Sequence, residues 1–236
     1  MHKKIDTARL LLLSTAMTKK RPPRIPLIHY PTAPDFKTRA QILMGRGIFN
    51  RRSFNSFMKH VDSRDAAVEV GAHVGGWTLS LSKLFKRVIS FEPQPTNRDF
   101  LRKNLETAHV SNTTIRPEAV ANNLQQDFSI SQTGTRHIPQ AHTNTPVKFV
   151  RLDDVLKTEI PDGQQIGALK INAGGLGLEV LKSGTEIIKQ HMPTILLRID
   201  RNTAIYGDTD KIYEYMSALG YKEAQTIRNN HIFVPE

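Results

Sequence analysis

Residues 66–85 read AAVEVGAHVGGWTLSLSKLF, and the fold turns on how they divide. AAVEVG (66–71) is a short apolar run closed by glycine, which predicts a buried strand. GWTLSLSKLF (76–85) predicts a helix. Strand, glycine-containing turn and helix start form the repeating unit of parallel α/β sheets. Two glycines, Gly71 and Gly75, would let backbone approach a ligand without side chains in the way. The spacing is not the phosphate-binding G-x-G-x-x-G, and the GK[ST] of a P-loop is absent. One residue is out of place. Glu69 lies inside the apolar strand, where an unpaired carboxylate costs several kcal/mol. A ligand amine, backbone donors or an arginine would satisfy it.

Outward from this unit the strand–helix rhythm continues. RVISFEP (87–93) is a strand stopped by Pro93, and its end carries Glu92, 21 residues after Gly71. An acid at that place in a nucleotide-binding sheet can accept hydrogen bonds from ribose hydroxyls. PTNRDFLRKNLETA (95–108) predicts a helix with Phe100, Leu101 and Leu105 on its apolar face and Thr96 as its cap. TTIRPEAVA (113–121) is a further strand and its exit. Residues 122–150 are polar, with DFSIS (127–131) and VKFVRL (147–152) suggesting a hairpin over the sheet edge. IGALKI (166–171) is a strand, 178–191 a helix and TILLRID (194–200) a strand. DKIYEYMSALG (210–220) is a helix closed by Gly220. Asn229-Asn230 between two β-prone runs predicts a closing hairpin. The expectation is a doubly wound parallel sheet made mixed by that hairpin.

The chain has 236 residues and a net charge of +11. Residues 1–60 hold thirteen Lys and Arg against Asp6 and Asp35, which accounts for the whole excess. Two regions follow: a basic N-terminal arm with a helical segment (1–60) and a neutral domain (61–236). FNSFMKHV within the first region places Phe54, Phe57, Met58 and Val61 at helical spacing, as for packing against the domain. The arm suits a polyanionic partner: nucleic acid, an anionic membrane or an acidic protein surface. A solvated leader explains it equally well. The first twenty residues also have features of an organelle presequence, interrupted by Pro22, Pro23 and Pro26. Leu10 to Leu13 is too short an apolar run for a secretory signal or a membrane span. The chain has no cysteine, which removes disulfides, thiolate metal sites and Cys nucleophiles, and fits a reducing, intracellular and cytoplasmic setting. His60, His109, His137, His142 and His191 lack metal-ligand spacing, so no metal is expected. Trp77 is expected to pack rather than stack on a base.

VEVGAHVGGWTLSLSKLF, VISFEPQPTNRDFLRKNLE, VRLDDVL and ALKINAGGLGLEVLKSGTEIIKQHMPTILLRID together resemble the FkbM family of S-adenosylmethionine-dependent methyltransferases, over roughly residues 60–236. The resemblance implies a Rossmann-like class I methyltransferase fold, with a seven-stranded mixed sheet ending in an antiparallel hairpin. It implies S-adenosylmethionine as cofactor. Glu69, Gly71, His73 and Gly75 would surround the methionine part and Glu92 the ribose, with Pro93 and Ala119 completing the cofactor set. It also implies methyl transfer to hydroxyls of small molecules or sugars.

The chemical end departs from that pattern. The family usually reads K-I-D-x-E-G-x-E after its fourth strand. Here Lys170 and Ile171 stand, Asn172 replaces the Asp, and Gly174 and Gly177 replace the two Glu residues. Arg198 occupies a position after the fifth strand where Glu is common, and His73 one where Asn is common. Asp153 and Asp154 are kept. Two readings stay open. In one, the enzyme works on an anionic substrate held by Lys170 and Arg198, beside Asn172, with Asp153 or His73 as base. In the other, the fold has lost catalysis and serves as a binding or structural subunit of a larger assembly, one containing nucleic acid among the options.

Overall fold

The computed structural model describes residues 50–122, 128–131, 134–139, 147–199 and 209–236. Most of the basic arm, residues 1–49, lies outside them, as do Asp200 and residues 201–208. Runs of apolar residues with both faces covered build the centre of the sheet. β1 (Ala66–Val70) and β8 (Ile166–Ile171) are buried at every position, as strands flanked by helices on both sides must be. β2 (Arg87–Phe91), β3 (Thr113–Arg116), β9 (Thr194–Arg198), β10 (Tyr221–Ile227) and β11 (Asn230–Pro235) complete a seven-stranded sheet of order β10-β11-β9-β8-β1-β2-β3. β3, β2, β1, β8 and β9 run parallel, while β11 is antiparallel to both β9 and β10. The doubly wound mixed sheet with a C-terminal hairpin is therefore as expected. The chain moves outward from β1 to β3 and returns to place β8 on the other side of β1. That reversal makes the carboxyl ends of β1 and β8 the switch point, where such sheets bind ligands.

One face of the sheet is covered by α1 (Arg51–Met58) and α2 (Thr78–Leu81). Phe54, Phe57, Val61, Trp77, Leu81 and Phe85 pack on Ala67, Val88, Ala168, Leu196 and Ile232. Trp77 meets Phe54 edge-on at 5.1 Å between ring centres, which accounts for it as packing. α1 thus shares the core of the sheet although it precedes residue 61. The other face carries α4 (Leu152–Glu159), α5 (Gly177–Ser183), α6 (Thr185–His191) and α7 (Thr209–Ala218) over Val68, Val70, Leu169, Ile171, Ile195 and Leu197. α3 (Pro95–Thr107) packs Leu101 and Leu105 with Ala72, Val74 and Leu79.

Several local expectations are corrected. The α-helix expected over 76–85 is confined to Thr78–Leu81, where Ser80 and Ser82 turn their hydroxyls back onto the carbonyls of Gly76 and Leu79. The helix expected over 178–191 is two helices broken at Gly184, where a Cβ would sit 3.0 Å from Leu152 Cδ1. The cap of α3 is Gln94, not Thr96: its Oε1 accepts from Asn97 N at 2.7 Å, and Pro95 takes the first helical position. The hairpin turn is Arg228-Asn229, since Asn230 already pairs with Arg198 in β11 and donates to Ser53 Oγ at 3.0 Å. In the polar region, β5 (Phe128–Ser131) forms its hairpin with β6 (Gly134–Pro139). β7 (Phe149–Val150) instead pairs parallel with β4 (Ala119–Val120).

Candidate functional site

The switch point holds a buried polar cluster spread over three adjacent strands. Glu69 on β1 is in register with Lys170 on β8 and with Ser90 on β2, so all three side chains leave the same face. Glu69 Oε1 lies 3.2 Å from Lys170 Nζ. Glu69 Oε2 accepts from Thr78 Oγ1 at 2.6 Å and from Ser90 Oγ at 3.5 Å. Glu69 and Thr78 are 1% and 0% exposed, so this carboxylate is shielded from water and already satisfied. Its charged partner within the chain is a lysine from the neighbouring strand, not an arginine. Lys170, expected to hold a substrate anion, has its ammonium bound to Glu69 and to the Gly71 carbonyl at 2.7 Å. Thr78 and Ser90 were not anticipated: Ser90 reaches Glu69 through the pairing of β1 with β2, and Thr78 through the turn that leads into α2.

The turn after β1 is held from both sides. Gly71 N and Ala72 N both donate to the Phe91 carbonyl at 3.0 Å, and Asn172 N donates to Val70 O at 2.9 Å. Gly71 has φ +81, and a Cβ there would stand 2.1 Å from the Asn172 carbonyl oxygen. Gly75 has φ +90, and its Cβ would stand 2.5 Å from Leu101 Cδ1. Both glycines are thus favoured by left-handed backbone, and Gly71 also by its close approach to the Asn172 backbone. His73 is itself left-handed, with φ 54, a conformation costly for a residue with a Cβ.

Glu92 stabilises that turn. The end of β2 brings its carboxylate, 2% exposed, to the His73 amide, which donates to Oε2 at 2.7 Å. Oε1 accepts from Gln94 N at 3.1 Å and from Asn97 Nδ2 at 3.3 Å. Burial raises the Glu92 pKa above its ordinary value, opposed by these hydrogen bonds and by the Lys170 charge. A carboxylate offers about four acceptor positions. One position therefore remains on Oε2, and a ligand presenting two hydroxyls would also displace a donor from Oε1. His73 is exposed, but the surrounding protein desolvates its ring. That, with the Lys170 charge second, lowers its pKa below the ordinary histidine value. Its imidazole is mainly neutral at pH 7.

The remaining expected residues fall in different places. Asn172 and Arg198 stand at the ends of the neighbouring strands β8 and β9, Arg198 exposed and opposite Asn230. Asp153 is 2% exposed and committed elsewhere. Its Oδ1 accepts from Ile187 N at 3.0 Å and its Oδ2 from Glu186 N at 3.4 Å, with Arg151 Nη2 at 3.3 Å. It closes the start of α6, so its geometry is that of a helix cap. Pro93 follows Glu92 and its carbonyl accepts from Arg98 Nη1 at 2.5 Å. Ala119 lies on β4, outside the main sheet, with its amide on the Lys148 carbonyl. Among the described residues no cluster of His, Asp or Glu could hold a metal ion, and no helix is long and apolar enough to cross a membrane.

The methyltransferase FkbM domain matches residues 69–223, from the buried Glu69 to Glu223 in β10. The chain belongs to the FkbM methyltransferase family. Similar solved structures include methyltransferase FkbM from Methylobacillus flagellatus KT, at 16% identity and TM-score 0.49, covering 85% of this chain and 55% of that one. An rRNA methylase from Streptococcus thermophilus is 14% identical with TM-score 0.47, covering 79% and 96%. A putative methyltransferase from Streptococcus mutans, solved in complex with SAH, is 12% identical with TM-score 0.49, covering 78% and 94%. No curated protein matches the chain. Within the FkbM frame, the cluster and the turn stand at the β1 and β2 ends, and Asn172 and Arg198 at the β8 and β9 ends.

Proposed function

We propose that the protein binds S-adenosylmethionine across the carboxyl ends of β1 and β2 and methylates an acceptor seated over the ends of β8 and β9. The observation that carries this reading is Glu92, a buried carboxylate at the end of β2 that fixes the glycine turn and keeps one acceptor position open. In this reading Glu92 holds the ribose hydroxyls, the turn from Gly71 to Gly75 presents backbone to the methionine part, and Pro93 and Ala119 flank the nucleoside. The cofactor supplies a methyl group on a sulfonium, which an acceptor atom attacks in line. Transfer to a hydroxyl also needs a proton acceptor. Asn172 has no basic atom for this, and Asp153 caps α6. His73, neutral at pH 7, is the proton acceptor of this reading. Arg198 supplies the cation for an anionic acceptor.

Calorimetric titration with S-adenosylmethionine tests the reading. Saturable binding by the native protein, abolished in Glu92→Ala, is expected. No heat at millimolar cofactor refutes it. A second reading, a methyltransferase fold kept as a binding or structural subunit, is favoured by one observation. The position of the second lost Glu, Gly177, lies so close to β9 that a Cβ there would be 2.9 Å from Leu197 Cδ1. Cofactor binding without methyl transfer to any hydroxyl acceptor would favour that reading. For an assembly containing nucleic acid, polynucleotide affinity would fall steeply with salt and vanish on deletion of residues 1–35.

A further inference from the structure

The Lys170 ammonium makes two contacts, and only one of them serves charge balance. It pairs with Glu69 at 3.2 Å, and it donates to the Gly71 carbonyl at 2.7 Å. The 71–72 peptide is thereby held at both ends, since its amide, Ala72 N, donates to the Phe91 carbonyl at 3.0 Å. The next amide, His73 N, is the one bound to Glu92 at 2.7 Å. A rotation of the 71–72 peptide would carry the His73 amide away from Glu92, because φ and ψ of Ala72 are all that separates them. The peptide is crowded as well, with the Gly71 Cα packed against the Asn172 carbonyl. Only a donor long enough to reach from β8 past the end of β1 can occupy this place, and a lysine in register with Glu69 does so.

We propose that Lys170 is a positioning residue: it locks the 71–72 peptide so that the turn presents the His73 amide to Glu92 and keeps the cofactor cradle preformed. The proposal rests on the cofactor reading above for its consequence and on the geometry of the turn for its cause. A preformed site binds more tightly because less ordering is required on association.

The obvious variant, Lys170→Met, strands the buried Glu69 carboxylate and can fail to fold. The test therefore compares Glu69→Gln, which keeps the lysine–carbonyl bond, with the double variant Glu69→Gln/Lys170→Met, which removes it without leaving a charge. Two measurements are made on each full-length protein. The first is amide hydrogen exchange. The double variant should exchange faster at Ala72 and His73, by about tenfold relative to Glu69→Gln, while the amides of β1 and β8 stay as protected as before. The second is titration with S-adenosylhomocysteine, where the double variant should bind about tenfold more weakly than Glu69→Gln. Equal exchange at Ala72 and His73 in the two proteins overturns the proposal. Faster exchange at the turn with equal affinity overturns the cradle role. If the native protein and Glu69→Gln both fail to bind while exchange responds as expected, the cofactor reading falls and the lock stands.

Discussion

Gly71→Ala should destabilise the protein far more than the same change at another left-handed glycine. Two effects act at residue 71. Its φ of +81 disfavours any side chain, a strain of about 1–2 kcal/mol. Its Cβ would also be 2.1 Å from the Asn172 carbonyl oxygen, with the Asn172 carbonyl carbon at 3.0 Å. That is about 1 Å closer than nonbonded atoms approach, and the obstacle is backbone, which cannot rotate away. Relief requires β1 and β8 to part at their ends. The bonds at risk are Asn172 N to Val70 O and Lys170 Nζ to Gly71 O, worth about 0.5–1.5 kcal/mol each. Strain and lost bonds together make a loss of about 2–5 kcal/mol. Gly163 is the internal control. Its φ is +77, but a Cβ there meets nothing within 4 Å, so Gly163→Ala should cost only the conformational strain of about 1–2 kcal/mol. Urea denaturation of both variants, followed through the single tryptophan, measures the difference. Equal midpoint shifts for the two variants would refute the close approach of Gly71 to β8 and, with it, the account of why this turn carries glycine.

Other outcomes follow from the same geometry. Asp153→Asn should lower stability by about 1 kcal/mol through a weaker cap on α6 and leave cofactor affinity unchanged by calorimetry; a loss of methyl transfer with stability intact would restore its role as base. Phe57→Ala should cost about 3–5 kcal/mol, because Phe57 is fully buried between α1 and the sheet, and the emission of neighbouring Trp77 should shift on the same melting curve. The Glu92 pKa is raised in the folded protein, so its contribution to stability is full below the ordinary value of 4.5 and is lost as pH rises through the folded pKa. Glu92→Gln should remove that loss. The native protein's thermal midpoint should therefore fall relative to that of Glu92→Gln as pH rises above 4.5, and a flat difference would contradict the buried carboxylate.

The centre of the sheet was legible because β1 and β8 are buried on both faces. IGALKI and AAVEV are apolar runs broken by one charge each, Lys170 and Glu69, and glycine, proline or an acid marks the end of each neighbour. Helix extents were less legible where side chains compete with the backbone. Ser80 and Ser82 shorten α2, and Gly184, pressed against Leu152, divides α5 from α6. Glu69 and Glu92 stood out in the sequence because acids at buried strand positions need partners. Which partners could not be read, since Lys170 is 101 residues from Glu69 in sequence and becomes its neighbour only through the pairing of β1 with β8. The same limit hid the work of Asp153, whose acceptors' donors, Glu186 N and Ile187 N, exist only once the helix breaks.

A crystal of the protein soaked with S-adenosylhomocysteine tests the central claim most directly. The account predicts ribose hydroxyls on the Glu92 carboxylate, the amino-acid end against the turn from Gly71 to Gly75, and the sulfur facing the ends of β8 and β9 between Asn172 and Arg198. Ligand density away from Glu92, or none at saturating concentration with the turn unchanged, would contradict it.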